Sequence, residues 1–460
     1  MRMKIDTAPC FYLNVSGSLK ILSEYREKYD CIDSLLDKNG KILDAFHADL
    51  QKYGSVGGRE SKYSSEQILR LALVKGIELL SLRDTIIRVC ESDFLRNFVR
   101  IGIGEVPNFN FLGDALKCIK PETWQVINAL LLAYAKKEKK ISGESLRLDS
   151  TVSESNIHYP TDVHLLWDSF RVVSRLMRQI RKADRSLNID NRFHDKKMKK
   201  LYTFVSTHGG RKSKSVLCKV DEAMCTMVDR VEWITEVGRN FVTNSKITTD
   251  GFDLLTTGII SELESMLPKV AHVARQTRRA WINGETVPAT ERIFSIFEDH
   301  TELLMRGKAR QPVEFGHLVT LGQTQEKFIS FYTVEEQSRH DTQYRDEVLK
   351  DHKKKFGKLP KRFTADKNYH ISPEDTAAQE KKIPMYAVGK KGRRTEQEEA
   401  REHDLLFKAA QAFRAGIEGS ISVLKRAFGL KRCLNKGFKS FAASVGCLVF
   451  CHNMVLLSRM

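Results

Sequence analysis

The stretch Glu144-Ser145-Leu146-Arg147-Leu148-Asp149-Ser150-Thr151-Val152 constrains the fold more than any other part of this chain. Its alternating apolar and polar residues have the two-residue period of a β-strand, and an aspartate stands near its end. On both sides the apolar spacing is helical instead. Downstream, Trp167, Phe170, Val173, Leu176 and Ile180 lie on one side of a helix, and helical spacing continues over residues 162–300. Strand patterns return only at residues 313–321, 327–334 and 361–365, with a helical stretch over 341–356 before the third and a short fifth strand at 383–388. Two helices follow, about 399–428 and 438–459. This order predicts an α/β layered core whose chain is interrupted after its first strand by a long, mainly helical insertion.

Residues 64–100 read as helical. Ser64 and Gln67 have the spacing of a capping box, and Ile68, Leu71, Ala72, Ile77, Leu79 and Leu80 supply an apolar stripe. A second helix starts at Pro121, a favourable first helical residue, and runs through Trp124, Ile127, Leu130 and Leu131 to about Ala135. A loop over 102–111 separates them. Residues 1–140 are therefore expected to form an all-α N-terminal domain, closed by Lys136, Lys137, Lys139 and Lys140 as a short basic linker. Binding DNA and dimerising are equally open roles for it. The core is expected to comprise 141–161 and 301–460, with 162–300 as the insertion.

Lys and Arg number 76 against 58 Asp and Glu, a net charge of +18 that draws polyanions, nucleic acid first among them. Arg171, Arg175, Arg178, Lys182 and Arg185 recur at helical spacing on one face, which suits a track of phosphates. The long apolar stretch at 441–457 contains Ser444, His452 and Asn453, so a buried helix is expected there rather than a membrane span. The first thirteen residues carry Arg2, Lys4 and Asp6 without an apolar run, so no secretory signal and an intracellular location are expected. The nine cysteines form no C-x-x-C pair and are given no metal or disulfide role.

Asp149 ends the first predicted strand, and Asp366 ends a later one in Arg362-Phe363-Thr364-Ala365-Asp366. The C-terminal ends of strands are where open α/β sheets gather their ligands. In the helix Phe413-Arg414-Ala415-Gly416-Ile417-Glu418-Gly419, Arg414 lies four residues before Glu418, and Lys425 lies seven beyond it, so all three share a face. Gly416 and Gly419 each weaken the helix by about 1 kcal/mol relative to Ala. Their presence predicts that something large approaches this helix closely.

Taken together, Asp149-Ser150-Thr151-Val152 followed by Asn156-Ile157-His158-Tyr159-Pro160-Thr161-Asp162, then Ala365-Asp366-Lys367-Asn368-Tyr369, and the Phe413–Gly419 block resemble the DDE transposases of bacterial insertion sequences. The likeness continues through Leu424-Lys425-Arg426-Ala427-Phe428-Gly429-Leu430, and the segment from Pro312 to His317 is similar to the family's second strand. It departs from the commonest pattern at Lys367 and Asn368, where relatives often carry a small residue or glycine. The resemblance implies an RNase H-like mixed sheet in which Asp149, Asp366 and Glu418 hold two Mg²⁺ ions, with Mn²⁺ as a substitute. It implies metal-dependent cleavage of element ends followed by strand transfer into target DNA, with Arg414 and Lys425 beside the scissile phosphate. Partners would be double-stranded DNA, as terminal inverted repeats and target, and further copies of the chain in a homodimer or larger assembly. The setting would be the bacterial cytoplasm, at the nucleoid. An RNase H-like nuclease or resolvase that does not join strands, and a catalytically idle transposase-derived DNA-binding protein, are the alternatives.

Overall fold

The computed structural model describes residues 20–52, 61–184, 187, 189, 191–210, 213–247, 254–305 and 312–460. Seven described helices precede the first strand: α1 (Lys20–Asp37), α2 (Gly40–Lys52), α3 (Ser65–Ile77), α4 (Leu82–Cys90), α5 (Asp93–Phe98), α6 (Phe109–Cys118) and α7 (Pro121–Lys137). The Ser64–Gln67 capping box forms as its spacing predicts. The stretch 64–100 is three helices rather than one run. Leu79 turns the chain with a left-handed φ of 54°, and Ser81 and Ser92 then cap new helices by accepting hydrogen bonds from the Asp84 and Leu95 amides. Asn108 caps α6 in the same way, which shortens the expected loop at 102–111.

The strands are β1 (Ser145–Ser155), β2 (Glu302–Met305), β3 (Val313–Thr324), β4 (Ile329–Val334), β5 (Arg362–Ala365), β6 (Met385–Val388) and β7 (Arg432–Cys433). They form one seven-stranded mixed sheet in the order β2-β3-β1-β5-β6, with β4 also paired to β3 and β7 to β1. β5 runs parallel to β1 and β6, while β3 runs antiparallel to β2 and β4. The expected strands thus share one sheet, and β2 and β7 are additions. Between them in the chain lie α8 (Asp162–Ala183), α9 (Asp195–His208), α10 (Lys214–Ile247) and α11 (Leu254–Thr277), then α12 (Asp341–Phe356), α13 (Pro373–Glu380), α14 (Glu396–His403) and α15 (Leu405–Ala427), and α16 (Phe438–Leu457) follows the last strand. Asp404 divides the single helix expected at 399–428, because its carboxylate caps α15 through the Leu406 and Phe407 amides.

The chain divides into two compact units, residues 1–154 with 317–460, and residues 155–316. The smaller unit has its own core, where Phe170, Val173 and Leu176 of α8 pack with Met227 and Val231 of α10 and Leu263 and Val270 of α11. In the larger unit the N-terminal helices share a core with α16: Trp124, Ile127 and Leu131 belong to one cluster with Val449, Phe450 and Met454. A second cluster joins Leu146 and Leu148 of β1 to Tyr344, Val348 and Leu349 of α12, so that helix covers one face of the sheet. Strand alternation turns Arg147 and Asp149 toward the opposite face.

Among the described residues α16 is the one helix long and apolar enough to cross a membrane, and 72% of its apolar window is buried in the fold. Its Asn453 acts as a short imitation strand. The Ile329 amide donates to its side-chain oxygen at 3.0 Å, and its side-chain amide donates to the Ile329 carbonyl at 3.0 Å, which covers part of the outer edge of β4.

The passage from α7 to β1 turns at Gly143, whose φ is 67°; a Cβ there would stand 2.2 Å from a ring carbon of Phe356. The Gly143 carbonyl accepts from His352 Nε2 at 3.0 Å. Burial pushes the His352 imidazole down to about 4, and the charges of Lys355 and Lys358 push the same way. The unfolded chain takes up a proton near pH 6.5 that the fold refuses, so stability is fully present above that pH and is lost as pH falls through about 4. The loss amounts to about 3 kcal/mol over that window at 1.36 kcal/mol per pH unit. Urea unfolding at a series of pH values should show this decline, and His352→Gln, which keeps a donor for Gly143, should flatten it; an equally steep decline in the variant rules His352 out as its source.

Candidate active site

In the parallel pairing of β1 with β5, Arg147 stands opposite Thr364. Extended by two residues, that register runs toward Asp149 and Asp366; Asp149 does not end its strand as expected, since β1 continues to Ser155, whereas Asp366 directly follows the last residue of β5. Both carboxylates are held alike by the next residue: Ser150 N donates to Asp149 Oδ1 at 2.8 Å and Lys367 N to Asp366 Oδ1 at 2.7 Å. Asp366 thereby caps the short turn Lys367–Tyr369. That turn swings the Tyr369 hydroxyl under β1, where it hydrogen-bonds Ser150, which in turn bonds Thr320 of β3 at 2.9 Å. Burial raises the Tyr369 phenol well above its ordinary range, and the charges of Asp341, Asp149 and Asp366 add to the effect.

The third acid comes from α15. Its Gln411 donates to the Ala387 carbonyl of β6 at 2.7 Å and to the Ala365 carbonyl of β5 at 3.5 Å, which pins the helix over the strand ends. Arg414 then lies between two acids, with Nη1 3.8 Å from Asp149 Oδ2 and Nη2 3.5 Å from Glu418 Oε1. Asp149 is four-fifths buried, whereas Glu418 is largely exposed. Arg414 thus links Glu418 to Asp149. Among the described residues no group of three His, Cys, Asp or Glu side chains stands close enough to hold a metal ion. Lys425 lies two turns beyond Glu418 and is half-buried.

Arg147 is the residue that sequence reasoning passed over. It is buried near the start of β1, donates from Nε to Gln323 at 2.8 Å and from Nη1 to the Phe413 carbonyl of α15 at 2.9 Å, and lies 4.8 Å from the Phe413 ring centre. Burial, with the nearby charge of Arg362, pushes its guanidinium down to about 10. The sequence signal was a long basic residue between two leucines of a core strand. Gly416 is its counterpart, since a Cβ there would lie 2.1 Å from Arg147 Nη1. The close approach predicted from the glycines is therefore made at Gly416 by the chain's own arginine, while a Cβ at Gly419 would meet nothing within 4 Å.

The arginines of α8 have acidic partners: Arg171 with Asp168 at 2.8 Å, Arg175 with Glu262 at 3.8 Å and Arg178 with Asp195 at 2.7 Å. About half of each side chain remains exposed, as does Lys182. Arg185 lies outside the described residues. Asp162, the first residue of α8, pairs with Arg292 at 2.7 Å.

A double-mutant cycle tests the seating of α15. Gly416→Ala should cost about 1–3 kcal/mol by overpacking against the guanidinium, and Arg147→Met a similar amount by leaving Gln323 and the Phe413 carbonyl without their donor. Together they should cost at least about 1 kcal/mol less than the sum, because the clash needs both partners. Strict additivity in urea unfolding would mean that the helix does not rest on Arg147.

Comparison of the chain with family models, with curated proteins and with solved structures returns no match in any of the three.

Proposed function

We propose that this chain is a DDE-type DNA transposase with an RNase H-like core, which cuts DNA at the ends of an insertion element and joins the freed 3′-hydroxyl to a target. The observation that carries the reading is the parallel register of β1 and β5, which carries Asp149, within β1, toward Asp366, just past the end of β5, with Arg414 of α15 3.8 Å from Asp149 and 3.5 Å from Glu418. The strand order β4-β3-β1-β5-β6, with β1, β5 and β6 parallel and β3 and β4 an antiparallel hairpin, supports the RNase H-like part of it. The net charge of +18 supports a polyanionic substrate.

The donor set suits Mg²⁺ or Mn²⁺, since all three acids offer the hard oxygens those ions take. Two such ions, once bound, supply charge stabilisation to the attacking and leaving oxygens of a phosphodiester. Asp149 and Asp366 stand ready for them. Glu418 completes the set when Arg414 releases it, because the guanidinium now lies between Glu418 and Asp149. In the loaded site Arg414 is then free to take two oxygens of the scissile phosphate, with Lys425 as a further point charge. The exposed halves of Arg171, Arg175 and Arg178, with Lys182, offer phosphate contacts on the smaller unit.

Changing Asp149, Asp366 or Glu418 singly to Ala should reduce metal-dependent nicking of element ends to the metal-free background while leaving duplex binding at the wild-type level. Asp162→Asn and Asp168→Asn should keep nicking, since those acids are engaged by Arg292 and Arg171. The measurement is a gel assay for nicking, and for joining of pre-cleaved ends. Full nicking by Glu418→Ala defeats the three-acid site, and cleavage without joining makes the protein a nuclease instead.

Reversing Arg171, Arg175 and Arg178 to Glu should weaken binding to all DNA sequences alike and flatten its dependence on salt, by about one unit of log–log slope for each lost phosphate contact. An unaltered slope would mean that this face serves only its own acids.

A further inference from the structure

Helices α7 and α12 end together at the edge of the sheet from which β1 and β5 start. Lys136 Nζ donates to the Lys355 carbonyl at 3.0 Å, His352 is bound to the Gly143 carbonyl, and the Lys361 amide donates to the Glu144 carbonyl at 2.8 Å. The basic stretch that reads in sequence as a linker is therefore locked beside a second basic stretch more than two hundred residues away.

Four lysines of this surface, Lys137 and Lys139 from the first stretch and Lys353 and Lys354 from the second, are exposed and make no ion pair or hydrogen bond with a described side chain. Their neighbours show what a lysine here does when its role is structural. Lys140 donates to the Leu457 carbonyl at 3.3 Å, Lys355 pairs with Asp351 at 2.6 Å, and Lys361 pairs with Glu144 at 2.7 Å. The negative end of a helix favours cations in its last turn, by about 0.3–1 kcal/mol each. That accounts for Lys137, Lys353 and Lys354 in part. It does not account for Lys139, which lies beyond the end of α7 with a left-handed φ of 57°, a conformation in which glycine or asparagine is the less strained residue. Glu138 is the acid within the first stretch, and it too is exposed.

Among the described residues this surface carries point charges and no exposed stacking face, since Phe356 is buried beneath His352 and Lys136. Single strands are held largely by stacking on exposed aromatics, whereas duplex backbones are held by charge alone. We propose that this lysine surface binds the phosphate backbone of double-stranded DNA. It lies at the edge of the sheet opposite Asp149 and Asp366, four residues away along β1, or roughly 13 Å. Only the choice of DNA as the polyanion rests on the transposase reading; the preference for duplex phosphates rests on the lysines themselves.

The test is equilibrium binding of the full chain to a short mixed-sequence DNA duplex, and to a single strand of the same length, over a range of salt. The variant K137E/K139E/K353E/K354E is compared with the four corresponding Lys→Arg changes and with K20E/K38E/K41E/K117E, which alters the net charge equally elsewhere in the same unit. Thermal melting of each variant verifies the fold. The first variant should lose roughly tenfold or more in duplex affinity at moderate salt, and its log–log salt slope should flatten by about two units or more. The arginine variant and the charge-matched control should retain wild-type slopes. A wild-type slope in the first variant, an equal loss in the control, or a loss confined to the single strand overturns the proposal. A wild-type protein that binds duplex through these lysines and yet nicks no DNA with Mg²⁺ or Mn²⁺ overturns the transposase reading and leaves the surface standing.

Discussion

The position of α15, and with it Arg414 and Glu418, depends on a buried guanidinium that is paired with no carboxylate among the described residues. Arg147 is held instead by a side-chain amide oxygen, a main-chain carbonyl and an aromatic ring. Each offsets part of the cost of taking a cation out of water, and burial still lowers its proton affinity without neutralising it near pH 7. A leucine at this place would break the apolar–polar alternation of β1, as a third leucine in a row. It would not reach across to the Phe413 carbonyl, and α15 would lose the contact that sets its height above the strand ends. The same charge lies two residues from Asp149 on the same face of β1, so it also moderates the field of the acids it helps to position.

That field needs moderating. Carboxylates near one another repel unless a cation intervenes. Between Asp149 and Glu418 the cation is Arg414, 3.8 Å from the first and 3.5 Å from the second. Arg414 thus offsets part of the charge of Asp149 and Glu418 from within the same chain.

Much of this was legible in the sequence. Strands with a clean two-residue alternation fell where the pattern put them, and Asp366 follows the last residue of β5 as expected, whereas Asp149 does not end its strand, because β1 continues to Ser155. The register that carries one toward the other was not legible, since it depends on which strands pair. Arg414 and Glu418 were readable as one helical face, but whether that pair binds a neighbour or itself is decided by what β1 presents beneath it. The α8 arginines show the same limit: the partner of Arg175 is Glu262, far along the chain and on a different helix, and no spacing rule reaches it. The helices α1, α2 and α6 were missed. The structure gives the N-terminal helices no core of their own, and part of their apolar surface is answered by α16.

This last feature has a consequence for how the protein is made. The amide of Asn128 in α7 donates to the carbonyl of Gly446 at 3.1 Å, across 318 residues of chain, and the edge of β4 is covered by Asn453, itself within 3.5 Å of Asn128. A ribosome adding about 5–20 residues per second needs tens of seconds to travel that distance. Throughout that interval the helices already synthesised carry an apolar face with no lid, and β4, once made, carries an open row of main-chain donors and acceptors. The larger unit therefore closes as a single late event. Until α16 emerges, the nascent chain is a natural client for chaperones that shield apolar surface.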